Sequence, residues 1–155
     1  MVVQTFSVNH KRGYEGQLVG NNPVTTQSRV ASKAGVKSGR AVKDVGCNNI
    51  EAGAKSGAVF GIVLRERQLE AANRPSDGAT EGTILSICLE GELLVKVAKA
   101  ADKDQMLFVN KKTGEFSGAA GATAADWVEC KNVRALDTAN NDDIVTACII
   151  RSVTA

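Results

Sequence analysis

The stretch T-I-L-S-I-C-L-E-G-E-L-L-V-K-V, residues 83–97, decides how the chain is read. Two apolar, strand-prone runs flank Glu90-Gly91, and a two-residue loop ending in Gly favours a tight hairpin turn. With the turn there, Leu89 pairs with Glu92, Ile87 with Leu94 and Leu85 with Lys96. The opposite face carries Ile84, Ser86, Cys88, Leu93, Val95 and Val97. It is almost wholly apolar, so it is expected to face the core. Leu85, Ile87, Leu89 and Leu94 then lie on a mixed face that needs cover from a second sheet, an arm or another subunit. That need is a first hint of assembly.

Outward from this stretch the same short-strand pattern repeats. Residues 58–65 (A-V-F-G-I-V-L-R) form a near-continuous apolar run of strand length, and Gly57 and Gly61 argue against a helix there. Residues 36–45 read as a short strand with Val42 and Val45 buried, followed by a loop over 47–54. Met106-Leu107-Phe108-Val109 is a strand, closed by the Lys111-Lys112-Thr113-Gly114 turn and a return strand from Glu115. Residues 126–136 hold the only Trp, and Val128 and Cys130 alternate with Glu129 and Lys131 as in a strand with one wet face. Residues 144–153 close the chain as a strongly β-prone strand. Residues 66–73 (E-R-Q-L-E-A-A-N) are the one short helix candidate, ending before Pro75. Many short strands with frequent turns predict an all-β protein: a small barrel or sandwich of short antiparallel strands with an extended N-terminal arm.

The chain has 155 residues, one domain's length, enough to bury roughly 70% of its unfolded surface without disulfides or metals. Residues 1–35 show no sustained period and are read as the arm; residues 36–155 are read as a single β-rich domain. Within the arm, Val3, Phe6 and Val8 are spaced like a short strand or an anchor. Residues 14–19 are a second apolar piece, and residues 24–34 are polar and need something to dock on. Deleting residues 1–30 is expected to leave a folded β-domain.

Net charge is only +2, too small to imply nucleic acid. Its distribution says more. Residues 1–40 hold Lys11, Arg12, Arg29, Lys33, Lys37 and Arg40 against Glu15 alone, about +5, which leaves about −3 on the remainder. Such an arm suits an acidic surface. Cys47, Cys88, Cys130 and Cys148 lie too far apart for zinc or thioredoxin-type motifs, and Cys88 and Cys148 read as small buried hydrophobes. The first twenty residues lack a secretory apolar stretch, and no run approaches the ~18 apolar residues of a membrane helix. The expectation is a protein made in a reducing cytoplasm with free thiols, no membrane role and no cofactor.

Catalytic constellations are sparse. His10 is the only His, and it sits in the arm. Glu90 and Glu92 would point to opposite sides of the turn, and Asp142-Asp143 lie in a loop, so no carboxylate pair has a reason to be buried. The acids do not follow a calcium-loop spacing, and Gly118-Ala119-Ala120-Gly121 reads as a loop rather than a phosphate cradle. Lys111 and Lys112 near Phe108 and Phe116 could stack single-stranded nucleic acid, but hairpin lysines beside core aromatics are the plainer reading. Trp127 reads as a core or interface anchor.

The order of several pieces resembles the structural cement, or head decoration, proteins of tailed bacteriophages. They are Tyr14-Glu15-Gly16-Gln17-Leu18, residues 35–42 (G-V-K-S-G-R-A-V), residues 60–65 (F-G-I-V-L-R), residues 91–97 (G-E-L-L-V-K-V), Thr113-Gly114-Glu115-Phe116 and Asn132-Val133-Arg134-Ala135-Leu136. The resemblance spans about 120 residues and rests on order and spacing. It implies a non-enzymatic virion protein that binds the outer surface of the expanded head and bridges major capsid subunits, commonly as a homotrimer. Its capsid or subunit contacts would then be Phe6, Lys11, Arg12, Tyr14, Gln17, Leu18, Arg29, Lys33, Lys37 and Arg40. The alternatives are a soluble intracellular β-barrel that binds a small ligand or another protein, and an enzyme built on His10.

Overall fold

The computed structural model describes residues 13–20, 22–55, 57–65, 78–119 and 124–151. Among the described residues nine strands follow one another: β1 (Thr25–Ala31), β2 (Ala41–Gly46), β3 (Asn49–Ala52), β4 (Gly61–Val63), β5 (Ile84–Lys96), β6 (Met106–Asn110), β7 (Phe116–Ser117), β8 (Trp127–Ala135) and β9 (Ile144–Ile149). A 3₁₀ turn, Ala124–Asp126, precedes β8. The helix expected over 66–73 lies outside the described residues.

The hairpin expected at Glu90-Gly91 is not formed. Residues 84–96 are one continuous 13-residue strand, and its neighbours change at Glu90-Gly91. A two-residue hairpin turn of type I′ needs positive φ at both central residues. Here only Gly91 is positive, at +144°, while Glu90 is not. The turn of that kind lies elsewhere: Cys47 and Asn48, at φ 52° and 63°, join β2 to β3 with Gly46 opposite Asn49. Cys47 and Asn48 are loop as expected, but the loop expected over 47–54 is interrupted by β3 (Asn49–Ala52), which pairs back with β2.

The strand order is β1-β3-β2-β4-β5-β9-β8-β6-β7, and β1 also pairs with β5. That extra pairing closes β1, β3, β2, β4 and β5 into a small barrel. The β1–β3 pair is parallel; the other named pairs are antiparallel. Five strands enclose only enough room for side chains. Val42, Ile50, Val63, Leu85, Ile87 and Leu89 fill the barrel core together with Ala31.

The second half of β5 leads into β9, β8, β6 and β7, and a bridge from Val97, the residue after β5, to Phe116 brings β7 back beside it. Leu93, Val95, Val97, Leu107, Val109, Phe116, Cys130, Val133, Val145 and Ile149 pack here. They are joined by Ile62 and Cys88 from the barrel's outer side.

Two expectations about faces change accordingly. Leu85, Ile87 and Leu89 need no partner subunit, because they are the inside of a closed barrel. Leu94, 5% exposed, lies beneath the N-terminal residues Gly13 and Gln17. Ile84, placed on the core face, is 62% exposed because the chain does not reverse beneath it. Val45 is exposed near the tip of the β2–β3 hairpin, and Cys148 is only half-buried. The segment 25–31, counted with the arm, docks along β5 as β1. Deleting residues 1–30 would therefore remove a barrel stave.

Candidate interaction surface

Residues 13–20 form a strap across the second half of β5. Leu18 bridges Leu93. The Gly16 N–H donates to the Leu94 carbonyl at 2.7 Å, the Leu94 N–H to Gln17 at 2.9 Å, and the Val19 N–H to Glu92 at 3.1 Å. Gly16 also accepts from the Arg65 N–H at 2.9 Å, so the strap is held on both sides. Glycine is required there. Its φ is +80°, and a Cβ would meet the Val63 carbonyl oxygen at 2.7 Å and the Gly39 nitrogen at 2.9 Å.

The strap leaves apolar side chains outside. Tyr14 is 53% exposed and Leu18 40%. The Arg65 guanidinium lies 4.1 Å from the Tyr14 ring centroid, a cation–π contact. Gln17 caps the strap by accepting from the Tyr14 N–H at 3.2 Å. Gly39 packs against Glu15 and Gly16, which brings the loop carrying Lys37 and Arg40 alongside. Arg40 pairs with Glu115 at 3.0 Å and lines a cleft of about 120 Å³ with Glu15, Lys96 and Asp142.

The remaining candidate residues fall elsewhere. Lys33 pairs with Glu51 at 3.4 Å, and Lys43 reaches the same carboxylate at 3.8 Å. Desolvation alone would raise the Glu51 carboxyl, but the Ser32 hydroxyl and the two ammonium groups outweigh it and hold the group below its usual value. Arg29 lies by the barrel mouth. Its guanidinium donates to Asn48 Oδ1 and to Gln27 Oε1, both at 2.8 Å, and sits 5.2 Å from the Phe60 ring centroid. Its Nε is buried without a hydrogen bond. Arg29 therefore works in part as a plug for its own barrel. Phe6, Lys11 and Arg12 lie outside the described residues. The structure thus gathers Tyr14, Gln17, Leu18, Lys37 and Arg40 and separates them from Arg29 and Lys33.

Sequence reasoning passed over two features. Asn132 donates to the Val59 carbonyl at 2.7 Å and to the Ile150 carbonyl at 3.0 Å, and accepts from the Val59 N–H at 3.0 Å. A mid-strand Asn among β-prone neighbours is the signal that marked it. A groove also opens beside Glu90 and Glu92, walled by Pro23, Cys148 and the 62%-exposed Ile150. Among the described residues no cluster of three or more metal-ligating side chains forms, and no helix is long and apolar enough to cross a membrane.

A barrel with a filled interior, fused to a second packed sheet and strapped by its N-terminal residues, defines an all-β scaffold. The sequence profile of the structural cement protein family (E217 gp24/Pam3 gp6) matches residues 2–149, and the chain belongs to that family. In fold it is similar to a chain from the capsid of Myoviridae phage XM1. The identity is 15%, coverage is 94% of each chain, and the TM-score is 0.71. It is also similar to the head fiber gp8.5 N base of bacteriophage phi29, at 14% identity over 84% of this chain and 97% of that one, TM-score 0.51. Comparison with curated protein sequences returned no match. The protein is a phage cement protein that decorates the capsid and resides in the virion.

Proposed function

We propose that this cement protein binds the outer surface of the expanded head as a homotrimer at three-fold or quasi-three-fold positions. There it bridges neighbouring major capsid subunits and holds them against internal pressure without catalysing a reaction. The observation that carries the reading is the strap. It fixes Tyr14 and Leu18 as exposed apolar side chains next to the basic Lys37–Arg40 loop, which is the pairing an interface needs at its centre and rim. The basic bias of residues 1–40 favours encounter with acidic capsid patches. Several weak contacts per trimer then add through avidity.

Two observations weigh against a small-ligand carrier. The barrel interior is occupied by its own aliphatic side chains. Phage cement membership supplies a partner on the head rather than a metabolite. The test is co-sedimentation of the purified protein with expanded heads and with unexpanded precursors. Binding to expanded heads alone is the expected result; equal binding to both, or to neither, removes the reading.

A further inference from the structure

The groove beside β5 opens where the strap gives way to β1. It has a volume of about 490 Å³ and combines apolar walls, Pro23 and Ile150, with two carboxylates, Glu90 and Glu92. Both carboxylates are held by neutral donors. Asn22 Nδ2 donates to Glu92 Oε2 at 2.7 Å, and Thr25 Oγ1 reaches Glu90 Oε2 at 3.5 Å. Among the described residues neither carboxylate forms an ion pair. Arg134 shares the outer face with Glu92, but Cys148 on the intervening β9 separates them, so the two lie about 10 Å apart, two strand spacings. The groove is therefore acidic with an apolar side, and it suits a segment that is apolar and cationic.

The chain itself contains such a segment. Residues 1–12, M-V-V-Q-T-F-S-V-N-H-K-R, hold Val3, Phe6 and Val8, then Lys11 and Arg12, and no acid. Extended, twelve residues span at most about 40 Å, enough to cross onto a neighbour. They join the described structure at Gly13, at the far end of the strap from the groove. The strap runs from there along β5 until the Val19 N–H meets Glu92. To enter its own groove the segment would have to reverse along the outside of Tyr14 and Leu18; a neighbour's segment enters without that reversal.

We propose that the groove receives residues 1–12 of a second copy, with Phe6 on Pro23 and Ile150, and Lys11 and Arg12 facing Glu90 and Glu92. The contact joins two different surfaces, so it is heterologous and closes into a ring when the rotation between copies permits. The proposal rests on the reading of the N-terminal segment as an interface and names which part of it meets a sister subunit.

Full-length variants test it by thiol cross-linking. The donor carries Ser7→Cys, Cys47→Ser and Cys148→Ser; the acceptor carries Cys47→Ser and keeps Cys148, which lines the groove. The two are mixed and treated with a short bismaleimide. The expected product is a heterodimer whose peptide map joins positions 7 and 148. Its yield should fall severalfold with an acceptor that also carries Glu90→Lys and Glu92→Lys, and fall again at high salt, where screening shortens the reach of the charges. If no 7–148 link forms while the mixture still co-sediments with expanded heads, the groove assignment fails and the capsid reading stands. A link that survives when head binding is lost supports the groove and removes the capsid reading. A monomer-mass 7–148 link in a single chain carrying Ser7→Cys and Cys148 overturns the second copy as occupant.

Discussion

Gly61 has no room for a methyl group. Its φ is ordinary, but a Cβ there would run into Ile87 Cγ2 and meet the Cys88 carbonyl oxygen at 2.9 Å. In the sequence a glycine at this position argues only against a helix; in the structure it lets β4 lie flush against β5. Gly61→Ala is expected to cost roughly 1–3 kcal/mol by overpacking, read from the denaturant midpoint at unchanged m-value. The buried thiols give a second expectation at this scale. Burial pushes the Cys130 thiol up to about 12 and the Cys88 thiol up to about 11, from an ordinary value of 9.0. Both folded values lie above the unfolded one, so the contribution is fully present below pH 9. Above pH 9 the unfolded chain releases these protons first, and the stability is lost as the pH rises through 11 to 12. The loss is on the order of 1 kcal/mol per pH unit per thiol between the unfolded and folded values. Melts between pH 8 and 11 should show that decline, and a variant with Cys130→Ala should show less of it. A flat profile would contradict the burial of both groups.

β5 is where the sequence was most legible and most misleading. Read as one strand, its odd positions are Leu85, Ile87, Leu89, Gly91, Leu93, Val95 and Val97, an unbroken apolar face. A turn at Glu90-Gly91 flips the parity of one half and splits that face in two. The pairing that decides between the readings comes from β1 and β9, each about 50 to 65 residues from its partners on β5, and no local pattern reports it. Strand existence elsewhere followed from β-branched runs and turn residues, so β4, β6, β7, β8 and β9 lie close to where they were expected. The polar stretch T-T-Q-S-R-V-A finds on β5 the dock it needs, so its order comes from six partners there rather than from its own composition. Gly16 and Asn132 do comparable work between elements. Gly16→Ala should loosen the strap and raise amide exchange at Gly16, Val19 and Leu94 while leaving β8–β9 protected. Asn132→Ala strands the Val59 N–H and should cost about 1–3 kcal/mol, with new protease sensitivity near residues 57–59. Protection at Gly16 and Val19 unchanged from the parent protein would mean that the strap is held by something other than these hydrogen bonds.

At the scale of the whole molecule, the candidate contact residues divide by what surrounds them. Tyr14, Leu18 and Lys37 are exposed or half-exposed, as a contact surface requires, but Arg29 and Lys33 are engaged with Asn48, Gln27 and Glu51 of their own chain. A charge count cannot separate a solvent-facing Arg from one that plugs a barrel mouth, because that depends on closure of β1 onto β5. The same closure fixes which truncation tests the N-terminal segment. Removing residues 1–30 takes away most of β1, opens the barrel and exposes Leu85, Ile87 and Leu89; it should abolish cooperative melting and says nothing about binding. Removing residues 1–12 leaves the strap, β1 and both cores in place. That variant is expected to keep its melting transition within a few degrees of the full chain and to co-sediment with expanded heads at least tenfold more weakly. The remaining binding would come from Tyr14, Leu18 and Lys37. Undiminished head binding by the 1–12 deletion would assign head binding to the strap alone and show that the contact of residues 1–12 with a neighbouring copy is not needed for it.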